Sequence, residues 1–173
     1  MTNWRKYGNQ TLDDSSRRWI GIVFLIAAVA MVIFMVFGYN YPLYLGESEY
    51  SLPLESATIY KLIADGISIF DGSIPGVLLL VLFVISILMI LLGAVNSLWA
   101  KGGAVLYLIS YLIAIFAPMT YPLKIYITTV NVPISFIDPA NSGSIAAPIL
   151  VLVITMAMIL IGAWQLSLSK NED

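Results

Sequence analysis

Carboxylates, phenols and hydroxyls are the side chains through which this chain could do chemistry. The 173-residue sequence contains no cysteine and no histidine. It therefore cannot build a thiolate metal site, a histidine-ligated haem, or a Ser–His or Cys–His nucleophile pair. No catalytic constellation is left, so the sequence favours a protein that is not an enzyme and that carries no cofactor.

The carboxylates closest to forming a site are Glu47 and Glu49, two residues apart on a polar stretch, with Glu55 nearby. Paired carboxylates can exchange protons with a substrate or bind a divalent cation. Carboxylates with this spacing on an exposed loop are more often only solvated, so we expect no metal site. Asp71 and Asp138 each follow an Ile-Ser pair and precede an apolar run, where we expect them to cap helix N-termini.

Two tyrosines stand in the same local sequence, Tyr-Pro-Leu, at Tyr41 and Tyr121. Tyrosines at the edge of an apolar segment typically lie in the membrane interface, with the ring against lipid and the hydroxyl in water. That is the simpler expectation for both residues. The alternative is that Tyr41 and Tyr121 line an apolar pocket that binds a lipid or a quinone.

The composition indicates that lipid is the main solvent of this chain. Hydrophobic residues make up 60% of it, charged residues 10%, and the mean hydropathy is +0.94. A soluble domain carries about 25% charged residues, and a membrane-crossing helix needs about 20 apolar residues. Four apolar runs, 19–38, 74–99, 103–119 and 145–168, fit that length and contain no Asp, Glu, Lys or Arg. Without ionisable groups at depth, a proton relay or an ion pathway is not expected.

The distribution of cations predicts how these spans are oriented. The polar tails, 1–18 and 169–173, and the short connection 100–102 contain Arg5, Lys6, Arg17, Arg18, Lys101 and Lys170. The long loops, 39–73 and 120–144, contain only Lys61 and Lys124. Because cytoplasmic segments are enriched in Lys and Arg, both termini are expected in the cytoplasm and both loops outside the cell membrane. The net charge of −2 argues against a nucleic-acid partner.

The fold class predicted from these runs is an all-α integral membrane protein, a bundle of four transmembrane helices. We expect the outer loops to add a small cap of strands and helix. Residues 54–64 are predicted as a short amphipathic helix that ends at Asp65-Gly66. Residues 124–132 alternate in a period of two and are predicted as a strand.

An internal repeat is a second hypothesis about the architecture. Residues 84–94 and 153–163 are identical at seven of eleven positions. We therefore expect two tandem helical hairpins, residues 19–99 and residues 100–168, related by a pseudo-two-fold axis. The repeated helices carry small residues at matching positions, which are expected to let helices pack closely in lipid. These helix-packing candidates are Ser86, Gly93, Ser97, Thr155 and Gly162.

Taken together, these features predict a non-catalytic polytopic membrane protein. Its expected role is that of a structural or accessory subunit in a larger membrane complex or in a homo-oligomer, and its partners are the lipid bilayer and other membrane subunits or copies of itself. The alternative is a lipid- or quinone-binding accessory subunit of a membrane redox complex, with the site near Tyr41 and Tyr121.

Overall fold

A computed structural model describes residues 13–46, 49–138 and 141–169 of the chain, without the side chain of Ser142. Most of the two predicted polar tails and the carboxylate Glu47 lie outside these described residues. The expectations stated for them stay predictions.

Five α-helices are present in the described part of the chain. They are α1 (Asp14–Ile33), α2 (Ile59–Ala64), α3 (Val77–Leu92), α4 (Ser97–Phe116) and α5 (Ala146–Ser169). Helix α1 continues as a π-helix, Phe34–Gly38, and a 3₁₀ turn, Ser142–Ile145, leads into α5. Three segments are long and apolar enough to cross a membrane, Asp14–Gly38, Ser97–Phe116 and Gly143–Ser169, whereas α3 has 16 residues and is shorter.

Small residues bring the long helices close together. Helix α1 packs against α5, α3 against α4, and α4 also against α5. At Gly21 of α1, an added Cβ would lie 3.0 Å from the carbonyl oxygen of Gly162 in α5. At Gly103 of α4, it would lie 2.9 Å from the backbone nitrogen of Ile90 in α3. Such distances leave no room for a larger residue, so these glycines permit the close helix approach.

Among the described residues, seven strands lie in the segments that connect the helices. They are β1 (Tyr41–Pro42), β2 (Tyr44–Leu45), β3 (Ser56–Ala57), β4 (Ser68–Ile69), β5 (Ile74–Pro75), β6 (Met119–Ile125) and β7 (Thr128–Ser135). Strands β1 and β3 form a two-stranded sheet, and the other five form a sheet in the order β2-β7-β6-β4-β5. All pairings are antiparallel.

The prediction of an all-α four-helix bundle is therefore wrong. Of the described residues, 62% are helical and 16% are in strands, which form two antiparallel sheets. The short strands can form sheets although most of them have only two residues. Each one satisfies its backbone groups by pairing with β6 or β7 or with another short strand. The outer segments form a sheet structure rather than a minor addition to a bundle.

The internal repeat is not supported either. The first outer segment folds into short strands and α2, whereas the second is dominated by the long β6–β7 hairpin. The two proposed units are thus not copies in their outer parts. Apolar helices draw on few residue types, and that restricted choice is enough to account for the similarity between residues 84–94 and 153–163. The boundary expected between residues 99 and 100 falls inside α4.

The boundaries of the second and third predicted spans also differ from the structure. Residues 93–96 form the connection, and the Asn96 side chain caps α4 by accepting a hydrogen bond from the Leu98 N–H at 3.1 Å. Residues 100–102, expected as the turn, lie in the first turns of α4. Pro75 belongs to β5 instead of the first turn of a helix. The predicted strand 124–132 is interrupted by a hairpin turn at Tyr126 and Ile127.

The predicted short helix is present but begins later. It spans Ile59–Ala64 and buries Ile59, Leu62 and Ile63, which are the apolar residues expected on its inner face. The Thr58 hydroxyl caps its N-terminus by accepting from the Lys61 N–H. Gly66 follows the helix with a φ of +89°, which fits the expected glycine end of the helix.

Candidate functional site

Three buried tyrosines join the outer strands to the helices, and we call Tyr41, Tyr107 and Tyr111 the junction cluster. Tyr107 and Tyr111 are one turn apart on α4, and Tyr41 begins β1 shortly after the π-helix. All three side chains are fully buried. The Tyr41 hydroxyl donates to the Tyr111 hydroxyl at 3.4 Å, and that hydroxyl donates to the carbonyl oxygen of Pro148 at 3.3 Å. The cluster thereby connects β1, α4 and α5.

Aromatic contacts extend the junction cluster to neighbouring segments. The ring of Tyr41 lies 4.7 Å from that of Tyr39 and 4.9 Å from that of Phe136, centre to centre. The rings of Tyr107 and Tyr111 are 5.7 Å apart. Such ring pairs add roughly 0.5–1.5 kcal/mol each beyond the area they bury. Burial, together with the nearby Tyr111, raises the pKa of the Tyr41 phenol well above its usual value, so Tyr41 stays protonated.

The hydroxyl of Tyr107 differs from the other two, because it has no hydrogen bond of good geometry with the described residues. Its polar neighbour is Thr155, whose hydroxyl donates to the Val151 carbonyl oxygen at 2.8 Å. A buried hydroxyl without a partner costs roughly 1–3 kcal/mol. Tyr107 is therefore the least satisfied member of the junction cluster.

The buried serine and threonine hydroxyls of the helices bond within their own helices. The Ser86 hydroxyl donates to the carbonyl oxygen of Phe83 and the Ser110 hydroxyl to that of Leu106, both at 2.7 Å. Hydroxyls bonded in this way do not form a chain of hydrogen bonds from one helix to the next. The core of the described helices is therefore better suited to packing than to moving protons.

The two tyrosines singled out from the sequence have different surroundings. Tyr41 is enclosed by rings, whereas Tyr121 lies in β6 at an open pocket of about 480 Å³ that is also lined by Asp65 and Lys124. The Tyr121 hydroxyl donates to Asp65 at 3.3 Å, and Asp65 pairs with Lys61 at 3.2 Å. Partial burial, followed by the charge of Asp65, raises the pKa of Tyr121. The structure thus does not place Tyr41 and Tyr121 in one apolar pocket.

The helix-packing candidates fall into three settings. Ser86, Thr155 and Gly162 are buried on α3 and α5, and Gly162 faces Gly21 and Leu25 of α1. Gly93 lies in the connection after α3, where an added Cβ would clash with Ala100. Ser97 is the first residue of α4 and is half-buried. It does not extend the face of Ser86, because α3 has already ended.

The acidic residues do not gather into a site within the described part of the chain. Glu49 and Glu55 are exposed, and no group of three or more Asp, Glu, His or Cys among the described residues could hold a metal ion. Asp71 lies in the turn between β4 and β5 with a φ of +54°, not at a helix start. At the start of the 3₁₀ turn before α5, the Asn141 side chain accepts a capping bond from the Gly143 N–H, and the cap expected of Asp138 stays a prediction.

The sequence predicts neither the junction cluster nor a second feature, the outer part of the β6–β7 hairpin. We call residues 121–132 the outer ribbon, and its tip is formed by Tyr126 and Ile127. The tip side chains are 99% and 101% exposed, as much as in an extended peptide. Tyr126 also has a φ of +53°, which side chains other than Gly, Asn and Asp rarely adopt. Two large apolar side chains are therefore uncovered by the rest of the described chain, at a turn that a smaller residue would fit better.

The comparisons with known proteins give no family for this chain. No protein-family model matches it, and searches of curated proteins and of solved structures find no match.

Proposed function

We propose that the protein is a non-catalytic multi-pass membrane protein that serves as a structural or accessory subunit, either in a larger membrane complex or in a homo-oligomer. The observation that carries this proposal is the outer ribbon with its fully exposed apolar tip. Exposed apolar residues on the helices can be covered by lipid, but the tip lies outside the helices. An apolar tip that is not covered by the protein itself is typical of a surface that binds a partner.

The proposed membrane topology has four crossings, with both termini in the cytoplasm and the sheets outside. Three helices have the length and composition to span, and α3 would be the fourth crossing. It is about 24 Å long at 1.5 Å per residue, and the apolar residues of the 93–96 turn extend it. Lys101, in the first turns of α4, lies at the expected cytoplasmic side, in keeping with the excess of cations there. The plasma membrane is the proposed location.

This topology can be tested with introduced cysteines, because the native chain has none. A cysteine at Ser73, an exposed residue between β4 and β5 and away from the tip, should react with a membrane-impermeant maleimide in intact cells. A matched cysteine at the exposed Leu98 should react only after the cells are opened. Equal labelling of both positions in intact cells would contradict the proposed orientation.

The role as a subunit is tested by extraction under mild conditions. We expect the protein, taken from its native membrane into polymer-bounded lipid discs, to run as an assembly heavier than the 19.0 kDa chain. Mass measurement of single particles then separates a homo-oligomer from a complex with other chains. A uniform population of monomers in these discs would contradict the proposal.

A lipid- or quinone-binding accessory subunit is the second candidate, and one observation favours it. An apolar groove of about 240 Å³ lies between the β4–β5 hairpin and the outer end of α3, where Ile69, Leu78 and Leu79 line it together with Ile113 of α4. The groove is distinct from the expected location near Tyr41 and Tyr121. Organic extraction of the purified protein should yield about one isoprenoid per chain if this role is correct. A Leu78→Trp variant should then lose it, whereas Leu88→Trp, on the exposed face of α3, should retain it.

A further inference from the structure

The short helix α2 has one buried face and one exposed face. It packs against the π-helix and α3, and it buries Ile59, Leu62 and Ile63. Tyr60 and Lys61 remain exposed. A helix divided in this way has one side against the protein and the other side against its surroundings. The exposed side of α2 therefore contacts whatever surrounds the protein at this level.

The exposed side of α2 continues the exposed stripe of α1. Large apolar side chains that are exposed recur on one face of α1 and the π-helix, and they are Val23, Ile26, Ile33, Phe34 and Phe37. The ring centre of Tyr60 lies 5.0 Å from that of Phe37, the last residue of this stripe. The two side chains are 47% and 45% exposed. If α1 spans the membrane, lipid covers the stripe, and Tyr60 extends the lipid-facing surface onto α2.

Aromatic side chains mark the two boundaries of this surface. Trp99 and Phe116 lie at opposite ends of α4, and both are about half exposed. At 1.5 Å per residue they are about 26 Å apart, close to the ~30 Å thickness of the hydrocarbon layer. Tyr41, which follows the π-helix, bonds to Tyr111 near the outer end of α4, so the outer ends of α1 and α4 lie at a similar level. Phe37 and the neighbouring α2 are therefore at the outer boundary, where aromatic residues concentrate.

A lysine stands beside this aromatic contact. Lys61 directly follows Tyr60, and the outer segments 39–73 and 120–144 contain only one other cation, Lys124. The Lys61 ammonium lies 3.2 Å from Asp65, and its side chain is 51% exposed. The Tyr121 hydroxyl donates to the same carboxylate at 3.3 Å, which helps to hold Asp65 in place. Because an ammonium group has three donors, the pairing with Asp65 leaves a donor for a further acceptor.

We propose that α2 lies in the outer membrane interface and that the Lys61 ammonium binds the phosphate of a phospholipid headgroup. The Tyr60 ring then lies at the boundary of the acyl chains, beside Phe37. This inference rests on the proposed membrane topology and goes beyond it, because it assigns an outer segment to the lipid surface. Lipid is the occupant because the face of α2 is continuous with the stripe of α1. Long lysine side chains at this depth typically extend toward the phosphate level.

A nitroxide spin label tests whether this face of α2 meets lipid or water. The label is attached to a Tyr60→Cys variant of the full chain, in discs of phosphatidylcholine, because the native chain has no cysteine. It should collide more often with oxygen, which is enriched in lipid, than with a water-soluble nickel chelate. A label on Lys124→Cys, on the exposed part of β6, should show the opposite preference. A Tyr60→Cys label that collides mainly with the chelate would overturn the proposed position of α2, and so would a label that another protein shields from both reagents.

Binding of the phosphate is tested with charge variants. Native mass spectrometry of the protein released from the same discs measures the ratio of lipid-bound to lipid-free chains. Lys61→Gln should lower this ratio about fivefold, roughly the contribution of one hydrogen bond, and Lys61→Arg should restore it. Lys124→Gln removes the other outer cation and should leave the ratio unchanged. An equal loss in both glutamine variants would show that Lys61 has no specific role.

The ion pair with Asp65 needs its own control, because Lys61→Gln also breaks that pair. Asp65→Asn breaks the pair but keeps the ammonium, so it should retain the bound phospholipid. If Asp65→Asn loses as much lipid as Lys61→Gln, the pair rather than the phosphate contact is responsible, and the inference is wrong. Should Tyr60→Cys fail to fold, these charge variants still decide.

The outcomes separate this inference from the proposed function. If the Ser73 and Leu98 cysteines react as the topology predicts but the label at position 60 faces water, only the lipid contact of α2 falls. If native discs contain only monomers, the role as a subunit falls and the position of α2 is unaffected. If neither cysteine distinguishes intact from opened cells, the membrane topology falls and the inference falls with it.

Discussion

Tyrosines at the junction cluster and at the ribbon tip have the same chemistry but opposite environments. Tyr41 is fully buried, is hydrogen-bonded to Tyr111 and packs against Phe136. Tyr126 is 99% exposed and occupies a strained backbone conformation. A residue type therefore does not by itself indicate a role. The contacts that each tyrosine makes show that the first holds the fold together and that the second is available for another molecule.

The contrast also shows how the two regions depend on each other. The junction cluster ties β1 to the helices, and Phe136, which follows β7, packs on Tyr41. Beyond residue 121 the ribbon is held mainly by the ladder between β6 and β7. A rigid base with a projecting two-stranded end is an arrangement in which binding can be altered without unfolding the protein. Substitutions in the junction cluster should therefore change stability, whereas substitutions at the tip should change binding.

The largest difference is expected between alanine variants of the two tyrosines. Tyr41→Ala should lower the free energy of unfolding by about 3–5 kcal/mol, because it leaves a large cavity in the junction. Tyr126→Ala should change it by less than about 0.5 kcal/mol, since the side chain touches nothing in the protein. Thermal unfolding in detergent measures both. Similar losses of stability for the two variants would contradict the separation into a structural and a binding region.

The next largest loss of stability is expected from overpacking the close contact between α1 and α5. Gly162→Val places a branched side chain where even a Cβ would lie 3.0 Å from the Gly21 carbonyl oxygen. Overpacking of this kind costs about 1–3 kcal/mol, so the melting temperature should fall. Ala157→Val on the exposed face of the same helix adds similar bulk and should have little effect. If Ala157→Val were equally destabilising, helix propensity rather than the α1–α5 contact would be the cause.

Within the junction cluster, removing a hydroxyl should have opposite effects at two positions. Tyr111→Phe loses the donor to Pro148 and should destabilise by about 1 kcal/mol. Tyr107→Phe removes an unpartnered hydroxyl and should stabilise by about 1 kcal/mol or more. Paired melting curves of the two variants measure the difference. Destabilisation by Tyr107→Phe would indicate that its hydroxyl has a partner, such as a buried water.

High pH should weaken the junction more than the ribbon. Burial raises the pKa of Tyr41 in the folded protein above the unfolded value of about 10. Below pH 10 both states are protonated and the stability is complete. As the pH rises above that value, only the unfolded phenol ionises, so unfolding becomes more favourable by up to about 1.4 kcal/mol per pH unit. The drop in melting temperature between pH 9 and pH 11 should be smaller for Tyr41→Phe than for the wild type.

The apolar runs were sufficient to predict where most long helices lie. The predicted spans 19–38 and 145–168 differ from α1 with its π-helix and from α5 by a few residues, because long apolar segments leave little choice of structure. The turn after α3 was misplaced, because Gly102 and Gly103 look like a loop but serve as packing positions inside α4. A glycine in an apolar segment can mark a loop or a close contact between helices, and the sequence alone does not distinguish the two.

The sheets could not be predicted as such, because most strands are only two residues long. Such strands have no periodicity to detect, and long-range pairing alone stabilises them. The junction cluster was missed for a related reason. Tyr107 and Tyr111 lie within an apolar run from which their sequence does not distinguish them, and the position of Tyr41 at the edge of such a run is typical of the membrane interface. The turn at Tyr126-Ile127 lacks the glycine or asparagine that normally marks a hairpin, so the alternation in the sequence predicts one uninterrupted strand.

That unusual turn leads to the smallest of the expected effects. Asparagine tolerates a positive φ better than tyrosine, so Tyr126→Asn should stabilise the monomer by a few tenths of a kcal/mol, up to about 1. Ile127→Asn is the matched control, because Ile127 is not among the residues with positive φ and should gain nothing. Chemical denaturation of both variants measures the difference. A gain in stability for Tyr126→Asn would show that Tyr126 lowers the stability of the monomer. Such a cost is expected of a side chain that contacts a partner.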